Sequence, residues 1–282
     1  MEQKTVAYQI EPLAQNIQDV RSRHEANRVS WNQGAQRYTE ELEDTIEFLR
    51  AGNSSLHPVE RRNLGDLRAW CRTAIHLQCA SGRDTLSLWN EGVSRVIGVD
   101  ISDVHIANAR RITEVLQAPA IWYRCDVLDT PHELDGIASL VYTGRGALCW
   151  LHDLNRWADV IFRLLTSGGV VHILDDHPLT WLFDPKQATF IYSGFDYFAH
   201  SESSQGWSPN YIGDIGIPVP QQARKFERLW PIAEVFQTLQ RAGLTIEYLG
   251  EHPDAYWDCF PHLKPELIGR IPMTFSLLAR KP

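Results

Sequence analysis

The stretch that decides the fold is HLQCASGRDTL, residues 76–86. A short apolar run, TAIHLQC (residues 73–79), leads into it, and an amphipathic run, DTLSLWNEG (84–92), leads out. That is a strand turning into a helix that Gly92 ends. Turns of this outline bind nucleotides when two or three glycines let the backbone approach a pyrophosphate. Here Gly82 is the single glycine of the turn, with Gln78 and Ala80 at the neighbouring positions. Three readings are open: a degraded dinucleotide site, a site for another nucleotide-type ligand, and a plain connection.

The same rhythm continues outward. SRVIGVD (94–100), AIWYRCDV (120–127), GIASLVYTG (136–144) and VVHILDD (170–176) read as further short strands. Between them, SDVHIANARRITEVLQ reads as a helix N-capped by Ser102, and DLNRWADVIFRLLTSGG as a helix closed by a glycine pair. Alternating short strands and helices predict βαβ units on a parallel sheet. Residues 1–70 read as polar and helical, with Trp31, Ala35 and Tyr38 on one helix face. Residues 177–226 are rich in aromatics, Gly, Pro and Ser and show no period, which suits a lid or a substrate wall. LWPIAEVFQTLQRAG then predicts a helix, and LTIEYLGEHP and PMTFSLLARK two last strands. The expected organisation is a helical cap over 1–70 and an α/β domain over 71–282, with an acceptor-site insertion at 177–226.

Composition narrows the function classes. Of the 282 residues, 44% are hydrophobic and 22% charged, an ordinary balance for a globular chain with a sizeable core. A formal net charge of -8 argues against a binder of bulk nucleic acid, which needs a basic face. The five cysteines form no CxxC pair, there is no HExxH, and no carboxylate cluster suggests a catalytic metal. No signal peptide or membrane-length apolar run is seen, so a cytoplasmic protein working without a membrane partner is expected.

Three features stand at the ends of successive strands: the Gln78–Gly82 turn, Asp100 and Asp126. Ligands of open parallel sheets sit at those carboxyl ends. A carboxylate after the second strand can accept from both ribose hydroxyls, and one after the third from an adenine amino group. A ligand without a pyrophosphate tolerates a Cβ at positions 78 and 80. S-adenosylmethionine is such a ligand.

With these residues in hand, the chain resembles the class I S-adenosylmethionine-dependent methyltransferases, most of all a bacterial small-molecule-type group whose first motif reads like HLQCHFGxDTLSL. The resemblance runs on through VIGVDIS, CDV, ALCWLHDLNRWADVIFRLLTSGG, DDHPLTWLFD, AGLTIEYLGEHP and PMTFSLLARKP, and includes NRVSWNQGAQRY near the start. It implies a Rossmann-like sheet of seven mostly parallel strands, helices on both faces, an antiparallel last strand, an N-terminal helical lid and an insertion after the fifth strand. It also implies the cofactor residues. Gln78, Ala80 and Gly82 would enclose the methionine part, and Asp100 would bind the ribose. Ile101 would pack on the adenine, Asp126 and Val127 would hold its edge, and Thr143 would lie near the sulfonium. Two departures stand out. His76 occupies a place where the superfamily often has an acidic residue, and Ala80-Ser81 replace the HF of the close group.

Aromatic faces suit a sulfonium, and Trp31 and Tyr38 could provide them if the N-terminal helix closes over the site. Tyr142, Trp150 and Trp181 are the candidate acceptor-pocket residues. His177 is the candidate base, with His152 as the other and Asp176 as a possible orienting partner. The expected enzyme moves a methyl group by in-line displacement to an oxygen or nitrogen of a small-molecule acceptor, as a monomer or homodimer. YTGR stands where an NPPY-type stretch would mark an adenine- or glutamine-methylating branch. An NAD-dependent oxidoreductase and a non-catalytic S-adenosylmethionine-binding regulator are the alternatives. The glycine-poor turn argues against the first, and the retained Asp100 and Asp126 against the second.

Overall fold

The computed structural model describes residues 7–208 and 211–282. Its strands in chain order are β1 (Ala7–Ile10), β2 (Thr73–Leu77), β3 (Arg95–Asp100), β4 (Ala120–Arg124), β5 (Ala138–Gly144), β6 (Leu165–Asp176), β7 (Ser201–Gln205), β8 (Lys225–Arg228), β9 (Thr245–His252) and β10 (Thr274–Arg280). Seven of them form one sheet in the order β4-β3-β2-β5-β6-β10-β9. β2 pairs in parallel with β3 and β5, and β10 runs antiparallel to both β6 and β9. The order reverses beside β2, the switch point where ligands of such sheets bind. No helix among the described residues is long and apolar enough to cross a membrane.

The α-helices are α1 (Ile17–Gly34), α2 (Gln36–Glu40), α3 (Leu42–Arg50), α4 (Pro58–Leu64), α5 (Leu67–Trp70), α6 (Arg83–Asn90), α7 (Asp103–Leu116), α8 (Leu154–Leu164) and α9 (Ile232–Arg241). Apolar residues on both faces of the sheet explain why helices cover both. On one face Ile75, Leu77, Ile97 and Val141 pack with Trp157 and Ile161 of α8 and Val235 of α9. On the other, Ala74, Val96, Leu140 and Tyr142 pack with Leu86, Ile106, Ile112, Ile46 and Leu49. The helices before residue 71 therefore serve two places. α3, α4 and α5 are part of the body's core, whereas α1 lies across the carboxyl ends of the strands.

Two element readings change. The helix read as running to the glycine pair stops at Leu164, and β6 begins at once. Leu165 pairs with Ala138 and Val170 with Leu140, so the residues between them bulge out of the ladder. The glycines serve that bulge, where Gly168 has φ +78°. The second change is in the segment read as aperiodic and in the polar N-terminus. β1, β7 and β8 form a separate three-stranded antiparallel sheet. Its middle strand, SESSQ, is buried although wholly polar, because its side chains are paired. Ser201 accepts from Arg23, Ser203 donates to Glu11, Lys225 donates to Ser204, and His200 pairs with Glu202.

Gly144 ends β5 with φ +139°, and a Cβ there would overlap the Leu174 carbonyl oxygen of the adjacent strand. Backbone cannot withdraw as a side-chain tip can. Gly144→Ala should therefore cost about 2 kcal/mol or more, read as a lowered midpoint in thermal denaturation. An unchanged midpoint would contradict this packing.

Candidate functional site

A cavity of about 110 Å³ opens at the carboxyl ends of β2, β3 and β5 and is roofed by α1. The turn after β2 forms its floor. Gln78 and Ala80 have φ of +59° and +46°, the left-handed region that usually calls for glycine. The chain thus keeps the backbone path of a glycine-rich turn while carrying side chains on it. Gly82, at φ +82°, caps α6, and a Cβ there would run into the Trp122 ring. Its glycine serves conformation and packing, and the residue lies outside the cavity lining.

Asp100 fastens this turn to the end of β3. The Ala80 N–H donates to Oδ2 and the Ser102 N–H to Oδ1, both at 2.8 Å. The group is nearly buried, and burial outweighs those hydrogen bonds, so its pKa is pushed up to about 6. Holding that charge in the absence of further partners costs on the order of 3 kcal/mol at neutral pH. The cost favours an incoming pair of hydroxyls. Ile101 and Val99 line the cavity beside it.

Asp126 and Val127 also line the cavity, and Asp126 has a second task. Its Oδ2 accepts from Arg21 Nη1 and His24 Nδ1, each at 2.8 Å, while Oδ1 accepts the Leu128 N–H at 2.9 Å. Burial raises this carboxyl, but the hydrogen bond and charge of His24, the Leu128 N–H and Arg21 outweigh it and hold it below its usual value. His24 Nε2 accepts the His152 N–H at 3.2 Å, which leaves Nδ1 to donate to Asp126. Oδ1, with one donor, keeps room for an amino group.

More contacts bind α1 across the strand ends. Asn27 pairs with both backbone groups of Phe226 on β8, at 2.9 and 2.6 Å. Asn32 Oδ1 accepts from the Ser102 hydroxyl at 2.7 Å, and Arg28 pairs with Asp103. Trp31 sits among Trp207, Trp150, His105 and Tyr211, with ring centroids 4.7 to 6.2 Å away. Tyr38 meets His105 edge-on at 5.1 Å. Trp31, Tyr38 and Trp150 all line the cavity.

Five expected residues stand elsewhere. Thr143 is fully buried in β5 with an unpartnered hydroxyl. Tyr142 turns to the opposite face and donates to Glu60 at 2.5 Å. Trp181 lines a second, smaller cavity of about 30 Å³, with Cys149, Asp176, Arg228 and Trp230. Gly82 is the α6 cap described above. His177 corrects the assignment of a base: its Nδ1 accepts the Leu179 N–H, its Nε2 bonds Glu251 at 2.8 Å, and it caps the short turn 178–182. Both ring nitrogens are engaged, away from the cavity. His152 is likewise outside the lining, and burial lowers its pKa to about 3. His76, at the departure noted in the sequence, is buried against Tyr142 and bonded to Thr85, with its pKa lowered by burial to about 4.

Several wall residues were missed: His24, Asn27, His105 and Arg145. The TGRG stretch was noticed only for the motif it lacks. Its charged residue between two glycines was the available signal for Arg145. Asp175 builds this loop by accepting the N–H groups of Gly146, Ala147 and Leu148 at 2.7 to 3.1 Å. Among the described residues, no group of three or more His, Cys, Asp or Glu side chains could hold a metal.

Residues 74–169 match the family model described as a methyltransferase domain. A search of curated proteins finds no match. Among solved structures, the chain is similar to an S-adenosylmethionine dependent methyltransferase from Mesorhizobium loti, at 20% identity and TM-score 0.53, over 79% of this chain and 96% of that one. It is similar to geranyl diphosphate C-methyltransferase from Streptomyces coelicolor A3(2), in complex with Mg2+, geranyl diphosphate and S-adenosyl-L-homocysteine, at 15% identity and TM-score 0.52, over 79% of each chain. A third is an S-adenosylmethionine-dependent methyltransferase from Clostridium acetobutylicum, at 13% identity and TM-score 0.51, over 74% of this chain and 83% of that one. The chain has the Rossmann-like fold of the class I methyltransferases, with a methyltransferase domain matched at 74–169. Fold and family match together support S-adenosylmethionine as the cofactor.

Since Asp126 holds α1 through Arg21 and His24, Asp126→Ala should loosen the roof. Amide exchange across residues 17–34 should speed up by about tenfold or more, while the sheet core is unaffected. Equal protection in the variant would show that the aromatic cluster alone holds α1 down.

Proposed function

We propose that this protein is an S-adenosylmethionine-dependent methyltransferase that places a methyl group on an oxygen or nitrogen of a small molecule. The observation that carries this reading is Asp100, a buried carboxylate tied to the left-handed turn at Ala80 and opening on the cavity. The residues present fit the cofactor. Asp100 faces the cavity as an acceptor for ribose hydroxyls, Asp126 Oδ1 has capacity for the adenine amino group, and Ile101 offers an apolar surface for the ring. When bound, S-adenosylmethionine supplies an electrophilic methyl carried on a sulfonium. Trp31, Trp150 and Tyr211 line the cavity, and aromatic rings suit a cation.

The same aromatic walls favour an apolar or aromatic acceptor. A hydroxyl or amine acceptor must lose a proton in the transfer. Asp176, to which Trp257 Nε1 donates at 3.1 Å, lines the smaller cavity with Trp181 and not this one, so it is not assigned as the base. The lid is assigned to α1 together with the small sheet, with residues 177–226 shaping the acceptor side. A small-molecule acceptor, with no nucleic acid and no membrane, and a cytoplasmic location fit the net charge and the aromatic cavity.

Two measurements test this. Asp100→Ala should weaken S-adenosylhomocysteine binding by about 100-fold or more while the protein stays folded, because two hydrogen bonds to a charged acceptor are lost. Normal binding by that variant would remove the ribose assignment. For the protein itself, Asp100 is ionised above about pH 6 and neutral below it. Affinity for S-adenosylhomocysteine should therefore be flat from pH 7 to 8 and fall as pH drops through about 6. A pH-independent affinity down to pH 5 would contradict the role of the ionised form.

A further inference from the structure

We infer that the hydroxyls of Tyr256 and Tyr211, with Asp175 and Asp176 behind them, form the polar end of the methyl-acceptor site. That end selects an acceptor that donates a hydrogen bond there, an alcohol, phenol or amine, over a carboxylic acid. This rests on the methyltransferase reading above. Gly146 supplies the first argument. It stands in the cavity wall, on the loop after β5, with φ +86°. A Cβ there would meet, beyond its chain neighbours, two atoms within 4 Å: the Tyr211 hydroxyl oxygen at 3.7 Å and the Tyr256 hydroxyl oxygen at 3.8 Å. The wall therefore has an open spot that two phenol oxygens face. Tyr211 itself lines the cavity, shares a hydrogen bond with Tyr38, and meets the Trp257 ring with centroids 5.5 Å apart.

The direction of the Tyr256 proton supplies the second argument. The segment between β9 and β10 brings this residue to the site. Phe260, Leu263 and Met273 pack there with Phe183 and Phe190, and the Thr274 hydroxyl donates to the Asp254 carbonyl at 2.9 Å. Tyr256 and Trp257 thereby reach the carboxyl end of β6. The Tyr256 hydroxyl donates to Asp175 Oδ1 at 3.4 Å and also interacts with Asp176, to which Trp257 Nε1 donates. A carboxylate only accepts, so the single phenol proton is committed to the acids. Toward the open spot Tyr256 offers lone pairs, and a ligand group there must bring its own proton. An alcohol, phenol or amine does so. A carboxylate would face those lone pairs with two acids behind them, and a site built to accept from O–H or N–H rejects a group without one. Burial, with Asp175 beside it, pushes the Asp176 pKa up to about 7, so the repulsion is greatest above that pH. The neighbouring guanidinium of Arg145 does not reverse the sign. It is turned to Glu60 and Asp84, 3.2 Å from each, and its charge is taken up there.

The test saturates the protein with S-adenosylhomocysteine at about pH 8 and titrates in fluorophenol, fluoroaniline and fluorobenzoate, followed by fluorine NMR. The three probes share one ring and differ in the polar group. Fluorophenol and fluoroaniline should bind, and fluorobenzoate should bind at least about tenfold more weakly. Tyr256→Phe should weaken fluorophenol and fluoroaniline about three- to tenfold and leave S-adenosylhomocysteine within about twofold. Asp176→Asn removes one charge and should bring fluorobenzoate to within about threefold of fluorophenol, which carries the test if Tyr256→Phe does not fold. Fluorobenzoate binding as tightly as fluorophenol, no binding of any probe up to millimolar concentration, or no effect of either variant would overturn the assignment. So would an equal loss of S-adenosylhomocysteine and fluorophenol in Tyr256→Phe, since the spot would then belong to the cofactor. If the unaltered protein does not bind S-adenosylhomocysteine, the methyltransferase reading itself has failed.

Discussion

One buried carboxylate organises the ligand end of this molecule. Asp100 closes β3, and by accepting the Ala80 N–H it locks the turn after β2 into a left-handed path that its own side chains disfavour. The positive φ values at Gln78 and Ala80 cost about 1–3 kcal/mol each unless the surroundings impose them. The surroundings here are the Asp100 oxygens, the Cys79 N–H to Val99 carbonyl bond and the close seat of Gly82 on Trp122. The turn, the cavity floor and the start of α6 follow from that arrangement. The carboxylate itself is held at a loss, as a pKa raised to about 6 records, and a diol would offset that loss.

The roof repeats the logic on the other side. α1 is a polar helix with little to bury, so apolar packing alone does not hold it. It is held by Asn27 on the β8 backbone, by Asn32 and Arg28 at the start of α7, and by Asp126 through Arg21 and His24. The last contact uses a residue that also belongs to the cavity wall. Cavity wall and roof therefore share a charged group, and a ligand at Asp126 would be felt by α1. The aromatic cluster around Trp31 joins the same helix to Trp207 of the small sheet's side.

Much of this was legible in the residues. The central strands announce themselves as short apolar runs, and all seven strands of the main sheet fall where those runs lie. Asp100 and Asp126 stand on the cavity wall, and their places were legible because strand ends are readable. The missing part has physical reasons. SESSQ shows no alternation because its burial is satisfied by hydrogen bonds from β8, α1 and the N-terminal segment, and no local pattern encodes distant partners. The glycine pair 168–169 looks like a helix stop because a bulge calls for the same residue type. His177 looked catalytic from its place after β6, but its partner Glu251 is 74 residues away on β9. Arg145 gave only a faint signal, since a charged residue between two glycines is common in surface loops.

The central claim is that the glycine-poor turn and Asp100 together form a site for S-adenosylmethionine and not for a dinucleotide. Calorimetric titration of the unaltered protein with S-adenosylhomocysteine, with NAD run in parallel, tests it most directly. The account predicts saturable binding of S-adenosylhomocysteine at about micromolar affinity and no measurable heat with NAD. Binding of NAD, or no binding of S-adenosylhomocysteine at millimolar concentration, would contradict it.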